Sequence, residues 1–199
     1  IDVSYSQGDI DWAAVAADGV DFAIIRLGYR GYTQGAIQTD SCFYQNIQGA
    51  LDAGLDVGVY FFSQAITPEE ARQEADYVLS LLESYPITCP VVYDWEPITF
   101  AEGARTDQLE NEVLTQCAAA FCQQIAQAGY TPAVYFNQEM GYFSFDLKEL
   151  SPFQFWLAEY DSYPSFYYGF TLWQYTHEGR VDGIQTPVDW NLDFSGLKR

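Results

Sequence analysis

Apolar positions along the chain fall into short runs of two different periods. Eight runs have β character: IDVS (1–4), FAIIRLGY (22–29), DVGVYFFS (56–63), VVYDWEP (91–97), PAVYFN (132–137), FQFWLAEY (153–160), TLWQYT (171–176) and PVDWNLD (187–193). Between the earlier runs the period lengthens to that of a helix. In DIDWAAVAADG, Trp12, Val15 and Ala16 share a helical face ahead of a Gly stop, and TDSCFYQNIQGALDAG reads as a second helix. Thr67-Pro68-Glu69-Glu70 is a helix start, with Thr as N-cap, Pro at the first helical position and an acid three residues after the cap; this helix runs toward Ser84. A long helix is predicted from about Asp107 to Ala128, ended by Gly129. After residue 137 the rhythm changes, and a shorter polar and aromatic segment leads to three strands with little room for helices among them.

Eight strands and five helical connections predict an α/β fold. Strands that alternate with helices pair in parallel through right-handed crossovers, and eight of them close into a barrel. The pattern therefore predicts a single (β/α)5β3 TIM-like barrel over residues 1–199. An open doubly wound sheet would need a Gly-rich phosphate turn at its switch point, and no GxGxxG or P-loop is present.

Composition narrows the chemistry. Hydrophobic residues make up 49% of the 199 and charged residues 18%, the balance of a chain that buries a core. The formal net charge of −20 repels polyphosphate and anionic membrane surfaces, which argues against nucleic acid as a partner. No run approaches the roughly 18 apolar residues of a membrane span. The chain opens on IDVSYS without a basic leader, so it reads as a soluble mature or excised piece, expected to be a monomer. Cys42, Cys89, Cys117 and Cys122 show no CxxC spacing, so no metal site through sulfur is expected. The one histidine, His177 in WQYTHEGR, would have to carry any Ser-His-Asp or Cys-His mechanism alone, and it is expected in a loop between strands. Hydrolysis, if this chain performs it, falls to carboxylates, with no cofactor.

VVYDWEP sets two acids inside an apolar run. Side chains two apart in a strand share a face, which puts the Asp94 and Glu96 Cα atoms roughly 6.6 Å apart. Pro97 lacks an N–H and stops ladder pairing, which places Glu96 at the C-terminal strand end, where barrel enzymes carry their active sites. Asp2 in the opening strand and Asp189 in the closing strand become neighbours once the barrel closes, so three strands bring four carboxylates to one mouth. Like charges in a partly dry pocket raise one another's pKa and hold one acid protonated beside an ionised neighbour, the arrangement glycoside hydrolysis needs. Two plainer roles stay open at this point: Asp2 as a turn cap, and Asp189 as a structural acid partnered by Asn191 on the same face. Tyr60, Phe62, Tyr135, Trp156, Tyr160, Trp173 and Tyr175 fall near strand ends, where rings stack on sugar faces.

Taken in order, IDVSYSQGDIDW, FAIIRLGY, AGLDVGVYFF, YDWE, WLAEY, LWQYT and VDWN resemble the successive strand motifs of the glycoside hydrolase family 25 lysozymes over essentially the whole chain. The resemblance implies a (β/α)5β3 barrel that cleaves the β-1,4 bond between N-acetylmuramic acid and N-acetylglucosamine in peptidoglycan. It implies Glu96 as proton donor, and Asp94, Asp2 and Asp189 as the other active-site acids. Retention through the substrate's 2-acetamido group, oriented by Asp94, is the implied course. The family's cleft rings fall on Tyr60, Trp156, Tyr160 and Trp173, and Arg26 fits its pattern as a supporting charge. Phe61 stands where many members carry His, which touches fine subsite contacts and not the acid pair. The alternatives are a chitinase-like hydrolase, whose longer acid signature before the Asp-x-Glu pair is missing here, and a glycan-binding barrel without catalysis, which would be expected to lack one of the four acids. A lysozyme implies a secreted or wall-associated protein whose acidic surface relies on a separate module to hold the wall.

Overall fold

The computed structural model describes residues 1–196. Eight strands close into a barrel: β1 (Asp2–Val3), β2 (Phe22–Arg30), β4 (Asp56–Phe62), β5 (Val91–Asp94), β6 (Pro132–Asn137), β7 (Gln154–Ala158), β8 (Leu172–Gly179) and β9 (Val188–Asp193). They coincide with the eight apolar runs. A ninth strand, β3 (Ile37–Thr39), folds back antiparallel on β2 outside the ring. Its IQT carries no apolar run, and backbone pairing to Gly28–Arg30 holds it in place of side-chain burial.

Neighbours from β1 to β8 pair in parallel, whereas β9 is antiparallel to both β8 and β1. Parallel pairing therefore fails at the last strand. The link from β8 to β9 has no helix to carry the chain back across the barrel, so β9 returns as a hairpin arm. The reversal places Asp189 directly opposite Asp2.

Helices α1 (Trp12–Ala17), α2 (Phe43–Asp52), α3 (Pro68–Leu82), α4 (Asn111–Gln127) and α5 (Gln138–Phe143) make the five connections. Thr67 caps α3 by accepting the Glu70 N–H, and Glu70 in turn accepts the Ile66 N–H at 2.9 Å. Helix α4 begins four residues later than its sequence pattern suggests. Asp107 and Leu109 instead close turns onto Ala104 and Thr106, while Arg105 and Thr106 reach back to Glu70 and Gln64. Cys117 and Cys122 lie buried on α4, where desolvation pushes the Cys117 thiol up to about 12. All four cysteines are free thiols.

Period two along each strand sorts side chains between two cores. Ile25, Leu27, Val57, Phe61, Val91, Tyr93, Val134 and Leu157 face outward to the helices. Ile24, Val92, Ala133, Trp156 and Leu172 fill the barrel interior. Above that apolar plug the inward positions turn polar.

Candidate active site

The polar end of the barrel interior is a cleft of about 220 Å³ lined by Asp2, Tyr60, Asp94, Glu96, Tyr135, Trp156, Tyr160, Gln174 and Asp189. All four sequence-selected acids meet there. A larger cavity, about 840 Å³, lies among α5 and the starts of β7 and β8, but Asp146 is its single carboxylate, which leaves it without an acid pair.

Strand β5 ends at Asp94, not at Glu96. Phe62 is the last β4 partner, opposite Asp94, and beyond it the Gln64 side chain replaces the ladder by donating to the Glu96 carbonyl at 3.0 Å. Gln64 is itself buried and accepts from Thr106 at 2.7 Å, so the backbone under Glu96 is clamped from behind. Trp95 points away into the outer core, as the alternation requires.

The acids are unequal. Asp2 is buried, and its Oδ2 accepts from Gln174 Nε2 and Asn191 Nδ2, each at 2.8 Å. Asn191 thus serves Asp2 and not Asp189: its Oδ1 accepts the Trp156 indole N–H at 2.8 Å, which turns its NH₂ toward Asp2. Asp94 is equally buried, yet neither of its carboxylate oxygens accepts a hydrogen bond among the described residues, and Oδ1 is sealed from solvent. Burial pushes the Asp94 pKa well up, the Glu96 and Asp2 charges add to this, and Arg26 opposes it. Burial and the charge of Asp2 raise Glu96. Asp189 is pushed up to about 7, by desolvation first and then by Asp2 and Glu96.

Of the predicted ring positions, Tyr60 and Tyr160 line the cleft, with Tyr160 51% exposed and free to stack. Trp156 forms the floor, packed edge-on to Tyr60 and Tyr135. Trp173 does not belong to the site. Period two turns it outward opposite Gln174, where it is buried and donates to the Glu159 carbonyl at 2.8 Å. Arg26 does not line the cleft either: Asp40 binds its guanidinium at 2.6 Å between the rings of Tyr5 and Tyr29, and it acts on Asp94 as a nearby charge. His177 lies in β8 and not in a loop, with its ring 4.6 Å from that of Tyr160. Gln174 was missed from the sequence, although its place two residues after the inward-facing Leu172 is the signal that could have found it.

A closed barrel that gathers four carboxyls and a ring-bearing wall at its strand ends defines a glycoside hydrolase of the barrel class. The family model for glycosyl hydrolases family 25 matches residues 1–184. The chain belongs to that family. It is 30% identical to lysozyme M1 of Streptomyces globisporus, across 98% of this chain and 67% of that protein. To the autolytic lysozyme of Clostridium acetobutylicum it is 27% identical, across 99% of this chain and 56% of that one. The bacterial lysozyme from Streptomyces coelicolor superposes with a TM-score of 0.77 at 25% identity, covering 99% of this chain and 92% of that one. The modular autolysin LytC from Streptococcus pneumoniae, solved in complex with a synthetic peptidoglycan ligand, superposes with a TM-score of 0.74 at 26% identity over 95% of this chain and 44% of that one. This chain thus spans about half of the longer relatives.

Proposed function

We propose that this chain, as one catalytic unit, is a lysozyme that hydrolyses the β-1,4 bond between N-acetylmuramic acid and N-acetylglucosamine in peptidoglycan. The observation that carries this reading is Asp94, a buried carboxylate that faces a sugar-sized cleft without a donor of its own among the described residues. A buried acid left unpaired costs several kcal/mol unless a ligand completes it. A 2-acetamido N–H is a donor of the right kind. When it reaches Asp94 it favours the ionised form there, and the Asp94 charge in turn favours the protonated form of Glu96.

Glu96 then donates to the leaving glycosidic oxygen as the C–O bond breaks, and the acetamide oxygen attacks the anomeric carbon from the other face. Water, deprotonated by the Glu96 carboxylate, opens that intermediate with net retention. Tyr160 offers a ring face to the sugar, and the Asp2 carboxylate supplies negative potential near the developing positive charge. Peptidoglycan as the substrate is supported by the two lysozyme relatives and by the ligand in the LytC complex. A monomer acting outside the cell accords with this role, and among the described residues no helix is long and apolar enough to cross a membrane.

Mass spectrometry of a defined peptidoglycan digest tests the reading. Reducing-end muramic acid is the expected product, while reducing-end glucosamine or a 1,6-anhydro product overturns it. Glu96→Gln should lower the release of reducing ends by about 10²- to 10⁴-fold with an unchanged circular dichroism spectrum.

A further inference from the structure

The hydrogen bonds around Asp2 run in one direction, toward its carboxylate. An indole N–H only donates, so the Asn191 atom facing Trp156 is its oxygen, and its NH₂ must face Asp2. Asp2 accepts that bond on Oδ2. Gln174 reaches the same oxygen through its own NH₂, at 2.8 Å, so Oδ2 accepts both bonds. The Gln174 oxygen is then left to receive the Tyr135 hydroxyl at 3.0 Å and the Tyr160 hydroxyl at 2.8 Å. Each phenol has one proton, now spent on Gln174, so toward the cleft both present lone pairs only.

We propose that Gln174, with Asn191, is a positioning residue that holds Asp2 as the ionised member of the Asp2–Asp189 pair, leaving the shared proton on Asp189, and that makes the two phenols pure acceptors for substrate N–H and O–H groups. Burial raises the Asp2 pKa and its two amide donors oppose that rise, whereas Asp189 has no such donors among the described residues. Asp189, opposite Asp2 in register, is raised by burial and by the Asp2 and Glu96 charges. The other groups facing the pair are Asp94, Tyr60, Tyr135, Tyr160 and the Ile1 ammonium. Gln174 bonds to none of these except the two phenols. The sugar-binding consequence rests on the lysozyme reading, whereas the proton placement does not.

Site-resolved carbonyl NMR titration of the aspartates in the substrate-free protein tests the placement. In the wild type, Asp2 should ionise at lower pH than Asp189. Gln174→Met, which keeps the volume and removes both bonds, should raise the Asp2 midpoint by about one pH unit. Tyr160→Phe leaves both amide bonds to Asp2 intact and should leave that midpoint in place. Asp189 ionising first in the wild type, or an Asp2 midpoint indifferent to Gln174→Met, overturns the proposal. The wild-type titration decides even if the variant does not fold. It also needs no substrate, so a failed peptidoglycan digest would count against the lysozyme reading alone.

Discussion

Asp2 and Asp94 line the same cleft, are buried to the same degree, and are solvated in opposite ways. On the wall of β1, β8 and β9 the protein supplies Asp2 with two amide donors, themselves tied to Trp156, Tyr135 and Tyr160. On the β5 wall none of the described residues donates to Asp94. The first wall is complete without substrate and the second is not, which separates an acid the fold relies on from an acid the fold tolerates. Removing a partner from a satisfied buried group orphans what remains, whereas removing an unsatisfied group relieves the fold.

The largest break in that comparison is functional. Asp94→Leu should lower turnover of peptidoglycan by about 10²- to 10³-fold, measured as released reducing ends, since the acetamide loses the group that orients it. The same variant should raise stability in urea unfolding by about 1–3 kcal/mol, because a buried carboxylate with no partner disappears. Asp2→Leu should move stability the other way by a similar amount, about 1–3 kcal/mol, since the Gln174 and Asn191 amides are left without an acceptor. Equal signs in the two variants would erase the distinction between the walls.

A subtler measure follows stability against pH. Asp189 has a folded pKa of about 7, above its ordinary 3.8, so between those values the native state holds more protons than the unfolded chain. Stability therefore falls as pH rises through that window, and Asp94, raised for similar reasons, contributes in the same direction. Asp189→Asn should flatten the decline of the thermal midpoint between pH 4 and 7; an unchanged slope would place the proton elsewhere. The smallest effects come from rings. Tyr160→Phe should raise KM about threefold through loss of one acceptor, and Trp173→Phe should leave KM unchanged while costing about 1 kcal/mol of stability, since its indole packs outside the cleft.

The fold and the acids were legible to different depths. Runs such as FAIIRLGY and DVGVYFFS mark strands because period two and apolar content are local properties, and Thr67-Pro68 marks a helix start for the same reason. Asp94 and Glu96 stood out because acids inside an apolar run have few inexpensive explanations. Trp173 was misplaced because its face depends on the strand register, and a one-residue difference in phase decides between cleft and outer core. Strand β3 was missed because backbone bonds to β2 hold it, with no apolar run to announce it.

The sequence by itself determined the alternation of strands and helices, a chain apolar enough to bury a core, and which residue types were available for chemistry: four candidate acids, one histidine and no paired cysteines in metal spacing. Only the tertiary structure decided how those acids differ. Residues 2, 174, 189 and 191 are remote along the chain, and their meeting depends on barrel closure and on the reversal of β9. Whether a carboxyl is charged is set by the donors and charges within a few ångströms, and those neighbours exist only once the chain has closed on itself.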